Sequence, residues 1–380
     1  MNRPPFDATA QERKKYLAAL RQVRAKGIMP ELMATLPDNL FKIRRTAEES
    51  LIAIYWAYDG AVGLGTPPRL YNKIIRVVAM NVNNPATGKV NDEGQNARLF
   101  AFVNAALADA GILCWEQKYC HDFWRPVVGI REHDTSFGPG AQDPKDAKNE
   151  LDRDADPFWL PQGAPATNTM MKNFTPDFPA YPSGHATFGA AAFHITRLFY
   201  GKSNRGPDNL FNGLAFVSNE LDGRNRDNKG TVRPRHVRNF PARGKTDPAS
   251  GLWRMILENA RSRIFLGVHW SFDAFAVDES DEPDLTQNIG GVPLGLNIAE
   301  DIFKSGGGLA PKMTPAGTAD PPIKTPDPNT SGMPTVPIQP ASQPGCADAP
   351  TPGRKAEDQA EEQPESEMVQ EPWPSGLSPR

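Results

Sequence analysis

Apolar positions recur at helical spacing through most of the first 305 residues and alternate at strand spacing almost nowhere. Residues 10–35 carry a helical pattern with many charges. Residues 48–58 read as an apolar helix, and 72–80 open another. A long alanine-rich helix is predicted over 96–122. The run Ala186-Thr187-Phe188-Gly189-Ala190-Ala191-Ala192-Phe193 lies in a helix predicted over 186–200. Ser250 is placed to cap a helix running to about residue 266, and 290–303 closes the patterned region. Two polar stretches with Pro and Gly throughout, 132–180 and 203–247, interrupt the helices, and loops of such length are often functional. The pattern predicts an all-α fold: a helical bundle with long irregular loops and its active site in the bundle core, where bundles place cofactors.

Composition adds boundaries. Beyond residue 306 the aliphatics thin out, 16 of the 38 prolines fall in 311–380, and 356–367 is an acidic run. Such a segment cannot bury enough apolar surface to order itself, so 306–380 is expected to be a disordered Pro-rich acidic tail. Residues 1–44 form an N-terminal helical segment, and 45–305 the main helical domain. The chain is 39% hydrophobic and 23% charged with a net charge of −3. That suffices for one large domain and gives no reason to invoke nucleic acid. Arg224, Arg226, Lys229, Arg233, Arg235, Arg238 and Arg243 crowd one loop, which reads as a solvated surface or as a means of steering anions. Three cysteines, one of them in the tail, make no disulfide framework, and Cys114, Cys120 and His121 have the wrong spacing for zinc. Residues 1–15 lack an apolar signal core. The best candidate for a membrane span, 99–115, contains Asp109. The expectation is a soluble protein with no membrane segment, cytoplasmic or exported without a Sec signal.

The candidate chemistry lies in three short segments far apart in the chain. They are Lys118 with Arg125-Pro126, then Pro182-Ser183-Gly184-His185, then Ser262-Arg263 with Gly267-Val268-His269 and Asp273. Each alone is a weak string: the second reads as a turn entering a helix, the third as an ordinary amphipathic segment. Together they supply three fixed positive charges, donors at a helix start, and two imidazoles. Lys118 and Arg125, seven apart, would share a face if they lay on one helix. Arg125 and Arg263 can hold oxygens in a planar fork at any relevant pH, while Lys118 is a point charge. The N–H groups of Ser183 and Gly184 precede a helix and attract anions, and the glycine allows close approach. His185 can exchange protons near neutral pH. Asp273, four residues after His269, could orient that ring from the same helical face. A buried tetrahedral oxyanion needs this set.

The trio resembles the signature shared by vanadium-dependent haloperoxidases and type 2 phosphatidic acid phosphatases, with the nearer match to the fungal-type vanadium chloroperoxidases. Trp56-Ala57-Tyr58-Asp59-Gly60, Gly65-Thr66-Pro67-Pro68-Arg69, residues 181–189, residues 262–270 and Gly290-Gly291-Val292-Pro293-Leu294-Gly295 carry the likeness, which covers about 45–305. The resemblance implies vanadate as cofactor, with His269 as the axial metal ligand and His185 as acid/base at the apical oxygen. It implies that Lys118, Arg125, Ser183, Gly184 and Arg263 hydrogen-bond the equatorial oxygens. Trp115 and Phe178 resemble the apolar residues on the halide side, and Asp59 the carboxylate that steadies Arg263. The implied reaction is oxidation of chloride or bromide by hydrogen peroxide to hypohalous acid, with an organic halide acceptor left open. Vanadate would act as a Lewis acid, His185 would take the peroxide proton, and Lys118 would polarise the peroxide.

Other readings stand beside this one. Trp115 and Phe178 also read as core, and Asp59 and Asp273 as surface or structural acids. The same cage suits a soluble acid phosphatase, with His269 as phosphohistidine nucleophile and His185 as general acid. A silent scaffold whose Pro-rich tail binds partners is a third reading. Fungal-type chloroperoxidases have two helical bundles and this chain resembles only the second, so a fragment, a compact variant and a homodimer all remain open.

Overall fold

A computed structural model describes residues 9–58, 64–134, 153–208, 210–240, 250–278 and 282–309, together with Pro4. The chain runs through α1 (Ala10–Lys26), α2 (Asp38–Phe41), α3 (Ala47–Tyr55), α4 (Pro67–Asn81), α5 (Glu93–His121), α6 (Pro126–Arg131), α7 (Gly184–Phe199), α8 (Gly251–Phe265), α9 (Ser271–Ala274) and α10 (Gly291–Ser305), with a short 3-10 turn at Pro30–Thr35. The strands are two residues each. β1 (Ala215–Phe216) pairs antiparallel with β2 (Arg238–Asn239), and β3 (Ala276–Val277) with β4 (Pro283–Asp284). The fold is all-α, as the apolar spacing predicts. The predicted tail from 310 onward lies outside the described residues, as do residues 135–152 of the first irregular excursion and 209 and 241–247 of the second.

Local sequence sets the helix ends. Thr46 and Glu49 form a capping box before α3, with bonds of 3.1 and 2.8 Å, and Asp92 and Gln95 form another before α5, at 2.7 and 3.0 Å. Ser250 occupies the cap position of α8, but its hydroxyl donates to the Asp208 carbonyl instead of accepting from the helix. Helix α5 stops at Asp122, whose left-handed φ of 42° turns the chain, and Arg125 becomes the residue that precedes α6. Lys118 and Arg125 therefore do not share a helix, in line with the predicted end near 122; a break between them brings the two cations together.

Helix α7 lies at the centre of the bundle. Every residue from Gly184 to Phe199 except Phe188 is buried, against α10, α5, α8 and α4. Small residues make this possible: a Cβ on Gly295 would lie 2.3 Å from the Thr187 carbonyl oxygen, and one on Gly291 2.5 Å from that of Ser183. The α10 backbone thus seats directly on α7 where its first turn faces the site. Helix α1 adds Tyr16, Leu20 and Val23 to the same core. Among the described residues, one stretch, Glu93–Arg131, is by length and average hydropathy apolar enough to cross a membrane, which the charge at Asp109 led the sequence reading to discount. Its buried stripe, including Leu99, Val103, Ala106 and Ala110, belongs to the core shared with α7.

The basic loop is only partly a solvated surface. Arg233 pairs with Glu220 at 2.6 Å, and Arg238 with Glu258 at 2.9 Å. Arg224, Arg226, Lys229 and Arg235 are exposed, and Arg243 lies outside the described residues.

Candidate active site

The three segments converge. Lys118, Arg125 and Arg263 are 0%, 6% and 1% exposed, and His185 and His269 are buried beside them. The hydrogen bonds described for the three cations go to neutral acceptors. Lys118 Nζ donates to the carbonyls of Pro179 and Ala180 at 2.8 and 2.9 Å. Arg125 donates through Nε to the Phe178 carbonyl and through Nη1 to the Val268 carbonyl, both at 2.8 Å. Arg263 Nη1 lies 3.5 Å from the Ala57 carbonyl. Desolvation penalises three buried cations heavily unless an anion compensates them. Burial is the main force lowering the Lys118 ammonium to about 7, with Arg125 and Arg263 adding to it and Cys114 and Asp273 opposing.

His269 Nδ1 lies 2.7 Å from Asp273 Oδ2, and Arg125 Nη1 lies 3.0 Å from His269 Nε2. Burial, then the charges of Arg125, Lys118 and Arg263, hold the imidazole well below its usual range. It is therefore neutral. Asp273 Oδ2 also accepts from the Trp270 N–H at 3.0 Å; burial raises this carboxyl to about 7 against the pull of Lys118 and Arg125. The pair meets across a turn rather than along one helix, as the i,i+4 reading assumed. Helix α8 ends at Phe265, Gly267 takes a φ of 73°, and α9 begins at Ser271.

The second segment starts α7. Ser183 caps it through its hydroxyl, which accepts from Ala186 N at 3.4 Å. Its own N–H is taken by the Asp273 carbonyl at 2.8 Å, so Ser183 offers a ligand its hydroxyl and not, as the sequence suggests, its backbone donor. Among the described residues no hydrogen bond occupies the Gly184 N–H, which lies in the first turn, where donors lack helical partners. His185 Nε2 lies 2.7 Å from the Ala57 carbonyl. A carbonyl can only accept, so Nε2 carries the proton and Nδ1 is the basic nitrogen.

Trp115 and Phe178 stand half-buried with ring centroids 5.1 Å apart. Lys118 Nζ lies over both rings, at 5.6 and 5.2 Å, and the Arg125 guanidinium over Phe178 at 4.9 Å. Asp59 lies outside the described residues. Sequence reasoning missed the carbonyls of Ala57, Phe178, Pro179, Ala180 and Val268 that aim the cations, because a backbone oxygen leaves no residue-type signal.

The donor set suits a vanadate-sized oxyanion: three buried cations, a helix N-terminus, and one imidazole nitrogen whose lone pair faces the cations.

A family model described as the VCPO second helical-bundle domain matches residues 98–281. A vanadium chloroperoxidase of Curvularia inaequalis is 36% identical over 358 residues, spanning 80% of this chain and 53% of its own. The crystal structure of a bacterial vanadium-dependent iodoperoxidase aligns with a TM-score of 0.45 at 20% identity, over 79% of this chain and 52% of that one. An apo-type bacterial vanadium-dependent chloroperoxidase aligns at 0.39 and 15% identity, over 78% and 50%. The chain spans about half the length of these relatives.

Proposed function

From the premise that this chain belongs to the vanadium chloroperoxidase family through its second helical-bundle domain, we propose that it is a vanadate-dependent haloperoxidase. It would oxidise chloride or bromide with hydrogen peroxide to hypohalous acid. The observation that carries the reading is His269 Nε2, an acceptor nitrogen held inside a ring of buried Lys118, Arg125 and Arg263.

When bound, vanadate supplies Lewis acidity that makes peroxide electrophilic. The rest is work for this chain's own side chains. His269 would hold the metal through Nε2, with Asp273 keeping Nδ1–H oriented. Arg125, Arg263, Lys118, the Ser183 hydroxyl and the Gly184 N–H neutralise the oxyanion in a water-poor site, where preorganised charges act most strongly. His185, with Nε2–H fixed on Ala57, accepts a peroxide proton at Nδ1. Trp115 and Phe178 line the halide side next to Lys118. Asp59 is assigned to Arg263, and the division into 1–44, 45–305 and 306–380 remains our reading of the chain.

A phosphatase reading shares one observation: an oriented imidazole lone pair is also a nucleophile. Two aromatic rings beside the lysine favour the halide. Assaying halide oxidation after loading with vanadate, alongside phosphate-ester hydrolysis before loading, separates the two; hydrolysis alone would sink the peroxidase assignment. We also assign the outward face of α5, where Ile112 and Tyr119 are 66% and 64% exposed, to contact with a second copy. Sedimentation of the purified chain as a monomer at micromolar concentration would overturn that.

A further inference from the structure

Asn259 is fully buried on α8, one turn before Arg263. Its Nδ2 donates to the His185 carbonyl at 2.7 Å. Tyr71 on α4 places its hydroxyl 3.2 Å from Asn259 Oδ1 and 3.3 Å from the same carbonyl. The amide orientation follows from chemistry: a carbonyl can only accept, so Nδ2 must face His185 and Oδ1 must receive Tyr71. The helix surface is cut away for it, since a Cβ on Gly189 would lie 2.3 Å from Asn259 Nδ2. An amide is thus inserted between the first turn of α7, which presents Gly184 and His185, and the turn of α8 that presents Arg263.

We propose that Asn259 is the positioning residue of the oxyanion cage, fixing the spacing between the Ser183–Gly184–His185 turn and Arg263. The proposal rests on the reading that these segments hold a tetrahedral oxyanion. A buried amide with both ends satisfied is rigid, and the loss of either bond leaves a buried polar group unmet. A shift of either helix then moves donors on both sides of the anion at once, and misplacement of even 1 Å is costly in such a site.

The test uses the full chain and inorganic phosphate as probe, with affinity measured by calorimetry and stability by melting temperature. Asn259→Leu is expected to weaken phosphate binding on the order of tenfold or more. Asn91→Leu serves as the control: Asn91 is a buried amide bonded to Tyr200 and Asn96 at 3.0 and 3.2 Å. It should lower melting temperature with phosphate affinity unchanged. If Asn259→Leu does not fold, Gly189→Ala, which presses on the same amide, is expected to weaken phosphate binding severalfold. Wild-type affinity in the foldable variant, with or without lost stability, reduces Asn259 to a structural residue. Failure of the wild-type chain to bind either phosphate or vanadate instead overturns the oxyanion reading itself.

Discussion

Arg125 Nη1 lies 3.0 Å from His269 Nε2, and this contact settles the tautomer of the ring. A guanidinium has only donors, so Nε2 must accept, and the ring proton sits on Nδ1 facing Asp273 at 2.7 Å. Burial and then the charge of Arg125 disfavour a proton on Nε2, and Asp273 holds the ring through Nδ1.

Asp273→Asn should lower vanadate affinity by about 10- to 100-fold, the usual cost of losing the group that orients a ligating histidine. His269→Ala should abolish tight binding. His185→Ala should retain vanadate yet lose about 10²–10⁴-fold in turnover, the span of acid/base help. Equilibrium dialysis against vanadate beside steady-state halide oxidation checks all three. Equal affinity in the two histidine variants would falsify the division of roles.

Oxyanion binding should weaken as pH rises through 7. Lys118 is held at about 7 by burial, so above that pH the cage offers one charge fewer, and a bound anion must draw a proton back onto the amine. Asp273, raised to about 7, acts in the same direction, because an anion nearby favours its protonated form. Sulfate keeps a fixed charge across this range and is the cleaner probe. Its affinity should fall about tenfold between pH 6 and 8, with proton uptake visible as a dependence of the calorimetric heat on buffer. A flat profile would mean that Lys118 stays charged without an anion.

The fold class was legible because 3.6-residue spacing survives in α4, α7, α8 and α10, and Lys118, Ser183, Arg263 and His269 were legible because their chemistry is unusual at fixed offsets. The connections were not. The helix end near 122 is legible, but not that Asp122 in a left-handed conformation turns Arg125 back toward Lys118. No pattern announces that the Ser183 N–H will be taken by Asp273. Asn259 gave no signal, since a lone asparagine in an amphipathic helix reads as a surface position. What sequence cannot carry is tertiary bonding between backbone and side chain, and that is what aims this cage.

Glu300 offers a test far from the site. It accepts from His194 at 3.2 Å and from Arg205 at 2.7 Å, and these partners, His194 foremost, lower its carboxyl from 4.5 to about 2. A depressed carboxyl stabilises the fold above about pH 4.5, and this contribution is lost as pH falls toward 2. The side chain is 39% exposed, so solvent screening limits the effect to about 0.5–1 kcal/mol. Glu300→Gln should therefore lower the melting temperature by roughly 1–2 °C at pH 7, with the gap narrowing by pH 3. A gap that is unchanged at pH 3 would assign the loss to packing against His194 rather than to charge.

Phe178 governs the side of the cage where halide is proposed to approach. Its carbonyl receives Arg125 Nε at 2.8 Å, and its ring lies against Trp115 with Lys118 Nζ 5.2 Å away. The backbone thus aims one cation while the side chain keeps water from another. A water-poor surrounding strengthens the pull of Lys118 and the arginines on oxygen, and chloride, the harder halide to oxidise, depends on that pull more than bromide does. Phe178→His leaves the carbonyl bond to Arg125 in place but introduces a titratable group and its hydration beside Lys118. Chloride turnover should fall more than bromide turnover in the vanadate-loaded variant, while vanadate affinity stays within a few fold. The measurement is the chloride-to-bromide turnover ratio in wild type and variant at mildly acidic pH. An unchanged ratio would remove the ring from halide choice and leave Phe178 only its carbonyl. A wild-type protein inert to chloride would restrict the proposed activity to bromide.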